Sequence, residues 1–129
     1  MATHKARAQA QQVSPPKRGE IYLVDFDPTV GAEIRKTRPA LVIQNDIGNE
    51  YSPITIVAAI TSKFDEPPYP TEVILEPEES GLPLRSAVVL NQIRSIDRQK
   101  LVKRLGRAST RSMDRVDQAI QISLGLIKV

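Results

Sequence analysis

The spacing of apolar residues changes once along this chain, and the change restricts the fold to strands followed by a helix. Up to residue 105, apolar residues occur in short runs or alternate with polar ones, as in β-strands. After that they recur every three or four residues, at Met113, Val116, Ile120, Leu124 and Ile127. This spacing predicts an amphipathic helix over residues 112–126, capped by Ser109 or Thr110. Strands first and a helix last predict a mainly β fold, a small antiparallel barrel with a C-terminal helix.

Six segments before the helix have the composition of strands. Residues 54–61 are apolar on both faces, which favours a central position in the sheet. Residues 101–105 include Lys103 and Arg104, charges typical of an edge strand. The other predicted strands cover residues 20–26, 39–44, 71–75 and 86–96, and longer loops are predicted at 27–37, 62–70 and 76–85.

Composition restricts the class of protein further. The chain has 129 residues, which suits one domain, and hydrophobic residues make up 40% of it, enough for a core. No apolar run reaches the roughly 20 residues of a membrane span. Residues 1–16 lack the apolar centre of a signal peptide and are expected to form a loose extension before a domain at residues 17–129. We therefore expect a cytoplasmic protein.

The charge distribution favours a polyanionic partner. The net charge is only +3, but eight basic residues lie between Arg94 and Arg115, against Asp97 and Asp114. Acidic residues gather elsewhere, at 65–66 and 76–79. One basic side suits nucleic acid, although a solvated charged surface is an equally good interpretation of the charges alone.

Several reaction chemistries are excluded by the residues that the chain lacks. It has no cysteine and one histidine, His4, so catalytic triads and a two-histidine acid–base pair are impossible. A zinc hydrolase has too few ligands. Asp25, Asp27, Glu33 and Asp46 leave a carboxylate magnesium site open, although turn and helix-cap roles are favoured for them.

An arginine-centred phosphate site remains. Arg38 precedes Pro39 at the start of a predicted strand, and its planar fork of donors matches phosphate oxygens. Thr61 ends the apolar run of residues 54–60, so its hydroxyl lies at a strand end. If the two strand ends coincide, both side chains face one pocket. The alternatives are a surface salt bridge for Arg38 and an ordinary strand end for Thr61.

Six motifs in order resemble the MazF/PemK/Kid family of toxin endoribonucleases, most closely its Gram-positive MazF branch. They extend from Lys17 to Asp97, within a resemblance that covers about nine-tenths of the chain. The motifs are Lys17-Arg18-Gly19-Glu20-Ile21-Tyr22, Gly31-x-Glu33, Thr37-Arg38-Pro39-Ala40-Leu41-Val42, Gln44-Asn45-Asp46, Ala59-Ile60-Thr61-Ser62 and Gln92-Ile93-Arg94-Ser95-Ile96-Asp97.

The resemblance implies an SH3-like barrel of the CcdB/MazF type that acts as a homodimer. It implies sequence-specific cleavage of single-stranded messenger RNA without a metal or other cofactor. The 2′-hydroxyl attacks the adjacent phosphate, leaving a 2′,3′-cyclic phosphate and a 5′-hydroxyl. The family's catalytic arginine and threonine match Arg38 and Thr61. Whether Arg38 also transfers protons stays open, because its reference pKa is above about 12.

By the same resemblance, three regions bind RNA, and an acidic, disordered MazE-like antitoxin lies along the basic surface. The implied RNA-binding residues are Ala32, Glu33, Arg35, Lys36, Ser62, Lys63, Tyr69, Pro70, Gln92 and Arg94. Asn91 departs from the family pattern, since many relatives have an acidic residue there.

Two other functions stay open. A CcdB-type toxin that inhibits a topoisomerase shares the barrel but cuts no RNA. Its target contact uses an aromatic-ended helix, whereas this chain ends in Leu126-Ile127-Lys128-Val129 and has no tryptophan. The other alternative is an RNA-binding barrel without catalytic activity.

Overall fold

The computed structural model describes residues 14–26 and 37–128, which form one antiparallel sheet and three α-helices. The strands are β1 (Glu20–Asp25), β2 (Thr37–Val42), β3 (Ile54–Thr61), β4 (Glu72–Leu75), β5 (Ser86–Asp97) and β6 (Leu101–Arg107). The helices are α1 (Asp46–Tyr51), α2 (Pro77–Ser80) and α3 (Thr110–Ser123), with a 3-10 turn at Arg98–Lys100. All six predicted strands and the C-terminal helix are confirmed, whereas α1 and α2 were not predicted.

The strand order is β4-β5-β3-β2-β1-β6, so β3 is interior and β6 is an edge, as predicted. The two ends of this sheet approach each other through α2, which follows β4. A Cβ built on Gly106 of β6 would lie only 2.0 Å from the Ser80 carbonyl oxygen at the end of α2. Glycine is therefore required where α2 meets β6. The curled, nearly closed sheet agrees with the predicted SH3-like barrel.

Two apolar clusters lie on opposite faces of the sheet. The larger packs beneath α3 and includes Leu41, Ala58, Ile60 and Val116. The smaller is centred on Ala40, Val42 and Val57, together with Phe26. Because side chains alternate along a strand, consecutive residues of β2 enter different clusters, and all three of its last residues are fully buried. Both sides of β2 are thus fixed, which holds its first residues in place as well.

The C-terminal helix ends three residues earlier than predicted. Ser109 caps its start by accepting a hydrogen bond from the Ser112 N–H, and this cap was predicted. At the other end, Gly125 has a φ of +73°, and the Leu126 N–H donates to the Gln121 carbonyl at 2.8 Å. This is a Schellman termination, which uses glycine in the left-handed region. Leu126 therefore lies beyond the helix and is 69% exposed.

Arg18 connects three parts of the framework. Its N–H donates to the Asp46 carboxylate at 2.7 Å, and its guanidinium donates to the Ile43 carbonyl at 2.8 Å and to Asp117 at 2.6 Å. The start of β1 is thereby joined to the end of β2, to α1 and to α3. The hydrogen bond from the Arg18 N–H is the main cause that lowers the pKa of Asp46.

Candidate active site

A cavity of about 300 Å³ opens where β2 begins and β3 ends. One wall comes from these two strands and from the residues just after β3, and the opposite wall comes from the segment before β5. The lining residues are Arg38, Pro39, Ile60, Thr61, Ser62, Lys63, Leu82, Pro83, Leu84 and Ser86. The cavity thus contains two cationic residues, Arg38 and Lys63, together with hydroxyl groups and apolar side chains.

The register of the sheet places Arg38 and Thr61 side by side. Ala40 pairs with Ala59 in the antiparallel β2–β3 ladder, so the same register two residues farther sets Arg38 across from Thr61. Residues directly opposite in an antiparallel pair share a face of the sheet. The two strand ends therefore meet, a condition that the sequence analysis left open, and both side chains line the same cavity.

The guanidinium of Arg38 is half-buried and is available to an anion. Among the ion pairs formed by residues 14–26 and 37–128, none involves Arg38. A surface salt bridge was the alternative for this residue, and no such salt bridge is formed within the described part of the chain. A cation in this setting favours a bound phosphate, because nothing in these segments competes for its donors.

Thr61 is held in a fixed orientation by the turn that follows β3. Its hydroxyl accepts a hydrogen bond from the Lys63 N–H at 3.1 Å and lies 3.2 Å from the Lys63 carbonyl. The hydroxyl can rotate away from that carbonyl and donate its hydrogen bond to a stronger acceptor, such as a phosphate oxygen. The same turn brings Ser62 and Lys63 to the cavity.

The opposite wall is a segment that the sequence analysis treated as a plain loop. Its short helix α2 ends at Gly81 with a φ of +78°, and Leu82 is anchored in the core with 5% exposure. Leu84 projects from this wall with 60% of its surface exposed. No periodic pattern distinguishes these residues, so the sequence analysis did not find Leu84 as part of the site.

Arg85 braces the two loops beside the cavity. Its Nε donates to Glu76 at 2.9 Å, and its terminal nitrogens donate to Glu66. The guanidinium also lies over the Phe64 ring, 5.7 Å from its centroid. The hydrogen bonds to Glu66 and then to Glu76 raise the pKa of Arg85 above its ordinary value. Its donors are therefore engaged by carboxylates of this chain.

The predicted RNA-binding residues divide into four groups, of which Gln92 and Arg94 on β5 form the last. Ala32, Glu33, Arg35 and Lys36 lie outside the described residues. Ser62 and Lys63 line the cavity with Arg38. Pro70 instead lines a second cavity, of about 370 Å³, between β4 and α3. The adjacent Tyr69 is 66% exposed, with its N–H bonded to Glu72 at 2.9 Å.

Gln92 and Arg94 are exposed on the polar half of β5. The β3–β5 register shifts between Ala58 and Ala59, whose partners are Ile93 and Val89, so Gln92 lies in an irregular, bulged stretch. Arg94 pairs with Val57 and stacks over the Phe26 ring at 5.2 Å. Since Val57 belongs to the smaller cluster, Arg94 lies on the same face of the sheet as that cluster. The alternation along β2 and β3 puts Arg38 and Thr61 on this face too.

The carboxylates considered for magnesium do not form a cluster in residues 14–26 and 37–128, where no group of three potential metal ligands occurs. Asp27 and Glu33 lie outside those segments. Asp46 begins α1 and bonds to the Arg18 N–H, in line with the favoured structural role.

None of the helices in the described segments is both long enough and apolar enough to span a bilayer.

Comparison with known proteins agrees with this arrangement. A family described as PemK-like, MazF-like toxins of type II toxin–antitoxin systems matches residues 17–124. Endoribonuclease EndoA of Bacillus subtilis (strain 168) is 47% identical over 111 residues, which cover 86% of this chain and 96% of that protein. The chain therefore belongs to the PemK-like, MazF-like toxin family.

Solved structures show the same fold. MazF from Deinococcus radiodurans is 27% identical, with a TM-score of 0.71, over 86% of this chain and 97% of that one. An endoribonuclease from a mycobacterial species, solved in complex with its cognate antitoxin, is 23% identical, with a TM-score of 0.73, over 88% of this chain and 99% of that one. The predicted barrel class is thereby confirmed.

Proposed function

We propose that the cavity between Arg38 and Thr61 is the active site of a sequence-specific endoribonuclease toxin that cleaves single-stranded messenger RNA. The chain's membership of the MazF-like toxins and its likeness to EndoA support the activity class. The location of the site rests on one observation. Arg38, which forms no ion pair within the described segments, lines the same cavity as the Thr61 hydroxyl. The toxin domain spans residues 17–129.

The reaction that fits this site needs neither a nucleophile of the protein nor a metal ion. The RNA 2′-oxygen forms a bond to the adjacent phosphorus while the bond from phosphorus to the 5′-oxygen breaks. The 2′-hydroxyl loses its proton and the departing 5′-oxygen gains one, which gives a 2′,3′-cyclic phosphate and a 5′-hydroxyl. The protein's part is to align the groups and stabilise the charge on the phosphorane.

Arg38 is assigned to that charge stabilisation. Its guanidinium offers paired donors to two phosphate oxygens, and the described residues supply no competing carboxylate. A neutral arginine is rare near neutral pH, because the reference pKa is above about 12. A role for Arg38 in proton transfer is therefore not part of the proposal.

Thr61 is assigned to orientation of the reacting phosphate. Its hydroxyl is already held by the hydrogen bond from the Lys63 N–H. Continuing the β2–β3 register by two residues places Thr61 across from Arg38. Donation to a phosphate oxygen places the scissile group between the two side chains. Lys63 adds positive charge at the same cavity.

Gln92 and Arg94 are proposed to bind RNA bases along the exposed half of β5, beyond the cavity. Both are solvent-accessible, and Arg94 is held in place by its contact with Phe26. Unstacked bases in single strands present edges that such side chains can bind. The proposed messenger RNA substrate also supports a cytoplasmic location.

Two partners are proposed with this function. One is an acidic, MazE-like antitoxin peptide, in agreement with the type II toxin–antitoxin family. The other is a second copy of the chain, for which the exposed Leu124, Leu126 and Ile127 provide apolar surface. Light scattering during gel filtration measures the molar mass of the protein in solution and therefore tests the proposed dimer directly.

The decisive assay incubates the protein with a long unstructured RNA in excess chelator and maps the new ends. We expect discrete cuts with 5′-hydroxyl ends that disappear in Arg38→Ala. Arg111→Ala is the matched control, because Arg111 is exposed on α3, against the opposite face of the sheet from Arg38. Intact RNA with the wild-type protein would contradict the proposed function.

A further inference from the structure

Leu84 is an unusual side chain for the position that it occupies. It lines the cavity that contains Arg38 and Thr61, yet 60% of its surface is exposed. Leu84 belongs to neither apolar cluster, whereas the neighbouring Leu82 is part of the larger one. An apolar surface is thus held in water at the edge of a phosphate-binding cavity.

The backbone that carries Leu84 is fixed on both sides. The Leu84 carbonyl accepts a hydrogen bond from the buried Ser86 hydroxyl at 2.9 Å. Upstream, the Leu82 N–H donates to the Ser80 hydroxyl at 3.1 Å. Downstream, Arg85 is bonded to Glu76 and Glu66 and stacks over Phe64. These contacts hold Leu84 in one place before any ligand binds.

We propose that Leu84 is a specificity-determining residue, on which the nucleobase next to the scissile phosphate packs, and that Arg85 is the positioning residue for it. This inference rests on the proposed endoribonuclease function. Both cations of the cavity lie on the strand wall beside the Thr61 hydroxyl and suit the phosphate, whereas the loop wall is mainly apolar, through Leu82, Pro83 and Leu84, and suits a base face. Single-stranded nucleic acid exposes such faces, and proteins bind them through flat or apolar side chains.

The test is a coupling measurement between Leu84 and single bases of the substrate. A set of RNA oligonucleotides containing the mapped cut site carries one abasic residue at each flanking position in turn. In the wild-type protein, an abasic residue at one position beside the scissile phosphate should lower kcat/KM about three- to tenfold. In Leu84→Ala, the intact RNA should lose a similar factor, and the abasic residue at that position should cost nothing more.

Two variants separate packing from other causes. Leu84→Phe, unlike Leu84→Ala, should keep the kcat/KM of the wild type and its dependence on that base, because the ring offers a larger apolar face. Val102→Ala is the matched control, since Val102 is 58% exposed on the edge strand β6, away from the cavity. If the effects of Leu84→Ala and of the abasic residue multiply at every position, Leu84 does not contact a base and the inference is wrong.

The role of Arg85 is tested by Arg85→Met, which keeps much of the stem but loses the bonds to Glu66 and Glu76. We expect a higher KM with little change in kcat and a weaker coupling between Leu84 and the base. Unchanged coupling in Arg85→Met would overturn the positioning role. All these measurements require a wild-type protein that cuts RNA, so failure of the proposed function shows itself separately, as an RNA left intact by the wild type.

Discussion

The two segments that form the walls of the cavity each contain an arginine, and the two arginines differ in their partners. Arg38 lines the cavity, whereas Arg85 lies beside it. Arg85, on the loop wall, is bonded to two carboxylates and stacked over Phe64. Arg38, on the strand wall, has no ion pair within residues 14–26 and 37–128. The cation of the loop wall is neutralised by its neighbours, whereas that of the strand wall remains available to a ligand. Since both residues are arginines, their local partners are what distinguish the bracing role of Arg85 from the catalytic role proposed for Arg38.

The largest effect is expected from Arg38→Ala. Loss of the charge that stabilises the phosphorane should lower kcat about 1000-fold or more, the upper end for a single donor. The free energy of unfolding should change by less than about 0.5 kcal/mol, because no ion pair or side-chain hydrogen bond of the described residues is lost. Cleavage kinetics and a urea unfolding curve measure the two quantities, with Arg111→Ala as the reference. An activity loss that followed a loss of stability would instead place Arg38 with Arg85, as a structural residue.

Thr61→Val should have the next largest effect, about 100-fold in kcat. Valine keeps the shape of the side chain, so strand β3 should fold normally, but the hydrogen bond from the Lys63 N–H is lost together with the hydroxyl. Thr61→Ser returns the hydroxyl and should recover most of the activity. Equal rates for Thr61→Val and the wild type would remove Thr61 from the reaction and leave Arg38 alone in it.

Arg85→Ala should give the opposite profile to Arg38→Ala. The ion pairs of Arg85 are about half exposed, and pairs of that kind contribute little to stability. We therefore expect a small drop in melting temperature together with a severalfold change in KM and nearly unchanged kcat. A collapse of kcat as deep as that of Arg38→Ala would contradict the distinction between the two walls.

The smallest effect on cleavage is expected at Asp46, which belongs to the framework behind both walls. Its pKa is lower in the folded protein than its ordinary value, mainly because of the Arg18 N–H. The folded state therefore gains stability from the ionised carboxylate above the ordinary pKa and loses it as the pH falls through the lower, folded-state pKa. Asp46→Asn should flatten the acid side of the stability–pH curve and leave cleavage at neutral pH unchanged.

Asp114→Asn provides the matched control for that curve, since Asp114 is an exposed aspartate of α3. Thermal unfolding between pH 2 and pH 6, an interval that brackets the reference aspartate pKa of about 3.9, compares the three proteins. A curve for Asp46→Asn that matches the wild type would show that the Arg18 contact does not contribute.

The sequence predicted the strands because their apolar spacing is set by the two faces of the sheet. The helix α1 was missed because its six residues have no apolar stripe. It is held instead by Asn49, fully buried and bonded to Gln44 and Thr55. Such contacts join residues from different elements and leave no periodic signal in the sequence. The late end predicted for α3 was wrong for a similar reason, since Gly125 ends the helix while the apolar spacing continues.

The candidate site likewise contains residues that the sequence predicted and residues that it did not. Arg38 and Thr61 were predicted because each lies at the end of a predicted strand and within a motif of the family, and only their meeting required the register of β2 and β3. Leu84 and Arg85 were missed, because the contacts that hold Arg85 join it to Glu76 and Glu66, 9 and 19 residues earlier in the chain, and such contacts leave no periodic signal. The placement of Pro70 in a separate cavity was likewise not predictable from its neighbours.

The central claim, that this cavity promotes attack by the RNA 2′-hydroxyl, is tested most directly with two RNAs that differ at one atom. One contains the mapped cut site, and the other carries a 2′-deoxy residue immediately 5′ of the scissile phosphate. Both are incubated with the wild-type protein in excess chelator. The account predicts cleavage of the first RNA, with a 2′,3′-cyclic phosphate end, and no cleavage of the second at that site. Equal cleavage of both would show that the nucleophile is not the 2′-hydroxyl.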